Sequence, residues 1–470
     1  MECPIFRGDF PDPSILRHKD RFYITHSSFQ YSPGLLIWES SDLVNWSPIC
    51  VALADYDGDV WAPELIEYQG IFYIYYKTTG GNHVTTAPQI EGPWSPPHDL
   101  NLPYIDPGHV VGSDGQRYIH LSKGQMVELS ADGLQALTQP REVYQGWTIP
   151  EDWRVEGPCL EGPKFVFRDT HYHMLTAMGG TAGPATSHMV ISARSTSPVG
   201  PWENSPYNPI VHTENRSERW WSKGHGTLIE DLKHQWWIVY HAYENGYYTL
   251  GRQSLISPIR WTEEGWPVLD KKNARELPSI QDSEWNSSWE DHFDQDTLSF
   301  HWSFFGNNQN QHYSLKDKSL ILEGSGTSIA NSSLLTCHTR HHAYLVEVDI
   351  ELLNEQAEAG LLLFYSSAGY TGLALNRKGL AYVLHPGGAT PPVGISGNRG
   401  RMRLLNDRHE VELYWKPQSG DWQRLPKTLE VSGMHHNVHG NFLSLRPTLF
   451  CSGQGSVRFS RFSYTPLTKD

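Results

Sequence analysis

Short apolar runs separated by polar turns fill the first half of the chain and recur in one layout. A residue followed by Pro or Gly opens each unit, two to four apolar residues come next, then a polar turn and an aromatic-rich run. The first unit is Asp12-Pro13-Ser14-Ile15-Leu16, followed by Phe22-Tyr23-Ile24. The second is Trp61-Ala62-Pro63-Glu64-Leu65-Ile66 with Phe72-Tyr73-Ile74-Tyr75-Tyr76, and the third Asp106-Pro107-Gly108-His109-Val110 with Tyr118-Ile119-His120-Leu121. The fourth is Glu161-Gly162-Pro163 with His171-Tyr172-His173-Met174-Leu175, and the fifth His225-Gly226-Thr227-Leu228-Ile229 with Trp236-Trp237-Ile238-Val239-Tyr240. A strand, a Ser-containing turn and a Trp follow several units, at Trp46, Trp94 and Trp202. Short strands repeated at roughly 45 to 65 residues predict a β-propeller, one blade per copy.

A five-bladed propeller over residues 1–275 brings the starts of its inner strands to one channel mouth. Asp12, Ala62, Asp106, Glu161 and His225 are therefore expected to meet. A polar linker is expected over 276–288. The remainder, 289–470, alternates apolar and polar positions, as in Tyr344-Leu345-Val346-Glu347-Val348-Asp349-Ile350 and Glu410-Val411-Glu412-Leu413-Tyr414-Trp415. That alternation predicts an all-β, jelly-roll-like β-sandwich.

Composition narrows the function classes. Aromatics make up 12% of the 470 residues, with 18 Trp and 23 Tyr, which fits aromatic-rich strands and sugar-stacking surfaces. A formal net charge of -15 argues against nucleic acid and anionic membranes as partners. Five isolated cysteines (Cys3, Cys50, Cys159, Cys337, Cys451) give neither a zinc motif nor a disulfide framework. With no signal-like start and no apolar run near the ~18 residues of a membrane span, the expectation is cytoplasmic. No nucleotide-binding Gly loop is present, so no organic cofactor is expected. The sequence leaves a homo-oligomer open.

Three acids at one mouth have a specific use. Hydrolysis of a glycosidic bond needs one protonated and one ionised carboxyl on opposite sides of it. An Asp before Pro is commonly a turn residue, but a turn has no need of Glu in one copy and His in another. Two Glu-Gly-Pro motifs compete in the fourth unit, at Glu156 and Glu161. Ten residues separate Glu161 from His171, as they do Asp12 from Phe22 and Ala62 from Phe72, whereas Glu156 lies fifteen away. The spacing selects Glu161 and leaves Glu156 a rim position. Asp9 is expected to be a surface or turn acid. Trp220-Trp221 reads equally as a sugar platform or as core, and His109, His171 and His173 as structural histidines. Asp291 and Asp294 are candidates for a structural calcium in the sandwich.

Phe10-Pro11-Asp12-Pro13-Ser14-Ile15, Trp61-Ala62-Pro63-Glu64, Tyr104-Ile105-Asp106-Pro107, Glu161-Gly162-Pro163 and Lys223-Gly224-His225-Gly226 together resemble glycoside hydrolase family 43. The resemblance implies five-bladed propellers that cleave xylose and arabinose linkages with inversion, and a sandwich like that of β-xylosidases. It implies Asp12 as general base, Glu161 as general acid and Asp106 as the acid that raises the pKa of Glu161 and holds it. It implies Arg252 as a substrate contact, Phe29 and Trp61 as aromatic walls, and His225 beside a calcium ion with water between. The expected substrate is a short xylo- or arabino-oligosaccharide cut from its end, by a β-xylosidase, an α-L-arabinofuranosidase or an enzyme with both activities. The alternatives are a glycan-binding propeller without catalysis and a protein-interaction propeller, which would have no use for acids at the mouth.

Overall fold

The computed structural model describes residues 2–54, 58–271, 285, 287–306, 312–385, 388–390 and 397–467. The linker expected over 276–288 lies mostly outside them. Among the described residues the only α-helix is the single turn His436–His439.

Five antiparallel sheets form the propeller. Their inner strands are Ser14–His18, Val60–Tyr68, Gly108–Val111, Glu161–Arg168 and Trp220–Glu230, and each touches its neighbours around a ring. The second strands are Arg21–Thr25, Ile71–Thr78, Arg117–Leu121, His171–Met178 and Trp236–Glu244. Aromatic and β-branched residues dominate them because both faces are buried between blades. The fifth blade is completed by the N-terminal strand Cys3–Phe6, which pairs with Arg252–Trp261. First and last parts of the propeller are thus hydrogen-bonded together in one blade, which closes the ring.

Every inner strand is entered through a residue in the left-handed region: Asp12 (φ 54°), Ala62 (43°), Asp106 (59°), Gly162 (59°) and His225 (54°). Such backbone costs of order 1–3 kcal/mol at a non-glycine residue and persists only where its surroundings enforce it. It corrects the expected register. Lys164 pairs with Leu175 just as Ser14 pairs with Thr25 and Glu64 with Tyr75, so Gly162 holds the place of Asp12 and Ala62. Glu161 comes one residue earlier. The spacing misleads because the strand begins at His171 while the residue matching Phe22 is Tyr172.

Two further sheets make the sandwich, which buries a large core including Leu361, Leu363, Val346, Trp302 and Phe459. Propeller and sandwich are interleaved. Tyr31–Ser32, between the second and third strands of blade 1, pairs with Trp302–Phe305 as an edge strand of one sandwich sheet. Phe29 and Tyr31 belong to the sandwich core, and Trp61 packs against it.

Candidate active site

The left-handed entries aim their side chains into the channel mouth. Asp12 is 5% exposed and Asp106 6%. Arg252 reaches Asp12 with both terminal nitrogens, Nη1 to Oδ1 at 3.1 Å and Nη2 to Oδ2 at 3.4 Å. The Ser27 hydroxyl donates to Asp12 Oδ2 at 2.6 Å and accepts the Ala62 N–H at 2.6 Å. The Asp12 N–H donates to His241 Nδ1 at 3.1 Å. His225 Nδ1 lies 3.5 Å from Asp12 Oδ1 and 3.9 Å from Asp106 Oδ2. Asp106 Oδ2 also accepts the Gly162 N–H at 3.1 Å. A Cβ on Gly162 would stand 2.9 Å from the His225 ring, so glycine is needed there for space as well as for φ.

The three acids are driven apart in proton affinity. Burial works to raise Asp12, but the Arg252 guanidinium, with the His241 and His225 rings beside it, holds the carboxyl well below the usual range. Burial and then the Asp12 charge push Asp106 up to about 7. Burial, followed by the charges of Asp106 and Asp12, raises Glu161 well above an ordinary glutamate. Burial keeps the His225 and His241 rings neutral, down to about 3 and about 4. One carboxylate and one carboxylic acid therefore coexist at neutral pH, the pair an inverting glycosidase needs. Arg252 Nε and the Nε2 atoms of His225 and His241 are buried without a hydrogen-bond partner among the described residues, which leaves polar groups for a hydroxylated ligand.

Two walls come from either side of the domain junction. Arg252 lies 5.4 Å from the Phe29 ring and 4.8 Å from that of Phe442, a sandwich residue. Phe442 is stacked on His436 at 3.6 Å and donates its N–H to His436 Nδ1 at 3.1 Å. Next to Arg252 on the paired strand, Tyr243 lines a hollow of about 260 Å³ with Trp221, Tyr248, Thr181 and Asn437. Trp61 stays on the sandwich side of the mouth.

The structure sorts the remaining candidates. Trp220 is core, and Trp221 lines the rim hollow. Glu156 is exposed, and its carboxylate accepts the Ala182 N–H at 2.9 Å, tying down a rim loop. Asp9 is no surface acid: it is 6% exposed, accepts the Arg252 N–H at 3.2 Å and lies 3.7 Å from Arg446 of the sandwich. His109 accepts from Arg117 Nε at 3.0 Å and stacks on Tyr75, a structural role. His173 is likewise buried, edge-on to Trp261, while His171 is only partly buried. Asp291 accepts the Phe293 N–H on one oxygen and Trp302 Nε1 on the other, and Asp294 is exposed. Among the described residues no three His, Cys, Asp or Glu side chains converge as a metal cage; the ion expected beside His225 has water between and needs no such cage.

Sequence reasoning missed Ser27, His241 and Phe442. Ser27 and His241 sit just past the apolar stretch of a second strand, where polar residues (Thr25-His26-Ser27, His241) break an otherwise apolar pattern. That break is the signal that marks them. Phe442 has no such signal.

Residues 1–267 match the family described as Glycosyl hydrolases family 43. The chain belongs to glycoside hydrolase family 43. Residues 290–465 match the β-xylosidase C-terminal concanavalin A-like domain. A non-reducing end α-L-arabinofuranosidase of Bacteroides ovatus is 32% identical over 69% of this chain and 65% of its own length. A xylan 1,3-β-xylosidase of a Vibrio species is 28% identical over 81% of this chain and 80% of its own. The solved structure of a xylan β-1,4-xylosidase from Bacillus halodurans superposes with a TM-score of 0.86 at 26% identity, covering 98% of this chain and 99% of that one.

Proposed function

We propose that this family 43 hydrolase releases xylose, arabinose or both from the ends of short hemicellulose-derived oligosaccharides, with inversion. The observation that carries the reading is the split in proton affinity between Asp12, ionised against Arg252, and Glu161, protonated beside Asp106. Glu161 gives its proton to the leaving oxygen. Water deprotonated by Asp12 attacks the anomeric carbon from the opposite face. Asp106 keeps Glu161 protonated and, through the Gly162 N–H, fixes the strand that carries it. The buried Asp12 and Asp106 and the Phe442 wall favour a terminal sugar over the middle of a polymer, which supports exo action. The relatives' names support both sugars, and the sandwich tilts the reading towards β-xylosidase, alone or with α-L-arabinofuranosidase activity. The five free thiols support a reducing, cytoplasmic setting supplied with imported oligosaccharides.

Hydrolysis of aryl β-xyloside and aryl α-L-arabinofuranoside, followed by NMR of the first anomer released, tests this. Turnover of at least one with an inverted anomer is expected. A retained anomer sinks the mechanism, and no activity on either returns the chain to a glycan-binding propeller.

A further inference from the structure

The rim hollow of about 260 Å³ adjoins a second one of about 320 Å³, and Pro184 and Arg216 line both. The first hollow lies between blades 4 and 5. On one side is the loop 181–185, which follows the strand paired with that of Glu161. On the other, Trp221, Tyr243 and Arg252 stand directly opposite one another on three successive strands, so they share one face of the blade. Two strand spacings, about 10 Å, separate Trp221 from the arginine that grips Asp12. The row leads from the reacting centre out to the hollow. Trp221 and Tyr248, with ring centroids 5.6 Å apart, line this first hollow, and Trp153, stacked on His212 at 5.2 Å, lines the second. Thr181 is 8% exposed, and its hydroxyl is buried with no hydrogen-bond partner among the described residues. Arg216 is exposed, and its guanidinium likewise has no hydrogen-bond or ion-pair partner among the described residues. Asp152 and Glu214 offset Arg154 and Arg216 along the second hollow, which suits an uncharged, hydroxyl-rich ligand better than an anion.

We infer that the two hollows form one path for the leaving side of a linear pentose oligosaccharide, which runs from the cleaved bond over Trp221 and past Arg216 to Trp153. The inference rests on the proposed release of terminal pentoses and adds to it a preference for chains longer than a disaccharide. Aromatic faces and unspent hydrogen-bonding groups are what such a chain requires of its walls. Sugars so far from the cleaved bond are held equally before and during the reaction, so their binding acts on KM rather than on kcat.

The test compares aryl β-xyloside and aryl α-L-arabinofuranoside with xylo- and arabino-oligosaccharides of about two to five sugars. In the wild type, kcat/KM on the cleaved series is expected to rise roughly tenfold from disaccharide to tetrasaccharide, mainly through KM. Trp153→Ala and Arg216→Ala should each erase most of that rise, a loss of roughly three- to tenfold on the tetrasaccharide. Both should stay within about twofold of wild type on the aryl glycoside, which ends before either residue and shows that the variant is folded. A flat length series in the wild type, or equal losses on every substrate, overturns the inference and leaves the hydrolytic reading standing. If no aryl glycoside and no oligosaccharide is cleaved, the hydrolytic reading fails instead, and calorimetric binding of the same oligosaccharides decides the path. Affinity that rises with length in the wild type but not in Trp153→Ala supports it, and absent or length-independent binding overturns it.

Discussion

Asp106 bears on Glu161 by charge and by position. It heads the inner strand next to that of Glu161, accepts the Gly162 N–H, and supplies, after burial, the largest push on the Glu161 carboxyl. Removing that anion must lower the proton affinity of Glu161. In Asp106→Asn the alkaline limb of kcat/KM is therefore expected to fall by about one pH unit or more, with activity lost first on the alkaline side. Glu161→Gln, which has no proton to lose, should abolish that limb together with turnover of poor leaving groups. An unmoved limb in Asp106→Asn would refute the coupling. Much of this residue set was legible in sequence, because a repeat with a variable first position exposes the position that carries function: Asp12, Asp106 and His225 meet as the repeat requires. Glu161 was found for a reason that was off by one, since glycine, not the acid, occupies the left-handed place. Asp9 was misread because its burial depends on Arg446, over 400 residues away, which no local pattern announces.

At the scale of elements, the turn from His435 to Phe442 finishes the propeller's pocket from another domain. His435 of the turn packs its ring 5.2 Å from that of Tyr248, and the junction around it is fixed by the Leu445 N–H donating to the Thr249 carbonyl at 2.8 Å and by His342 Nε2, 2.9 Å from Glu244 Oε2. Phe442 is partly buried, so trimming its ring removes a wall without hollowing a core. Phe442→Ala should lower kcat/KM on the preferred aryl glycoside by roughly ten- to fiftyfold, mainly through KM, with a Tm loss of only a few degrees. Unchanged kinetics would exclude Phe442 from the pocket. Blades and sandwich strands could be read from alternation and period, because both are local. The contribution of this turn could not: it is polar, irregular and rich in histidine, and only tertiary packing gives it a place above Arg252.

For the molecule as a whole, the sequence presents two objects joined by a linker, and the structure presents one interleaved body. A two-residue strand such as Tyr31–Ser32 has no periodicity to detect, yet it joins a sandwich sheet and carries Tyr31 into the sandwich core, beneath Arg446 at 3.4 Å. Gly8 sits so close to the Thr339 carbonyl that a Cβ there would stand 2.3 Å from the oxygen. Taking the sandwich away would expose Phe29, Tyr31 and Trp61 together and strip Asp9 of Arg446. Each fully buried aromatic is worth roughly 1.5–3 kcal/mol, so Phe29 and Tyr31, with part of Trp61, amount to a large share of the 5–15 kcal/mol by which a typical protein is stable. The two domains should therefore unfold together. Calorimetry of the full chain is expected to give a single transition with calorimetric and van't Hoff enthalpies in agreement, and a fragment ending at Lys271 should melt well below it or fail to fold. Two resolved transitions, with the fragment reproducing the lower one, would show that the interleaving carries no energetic weight and that the sandwich serves the pocket through Phe442 alone.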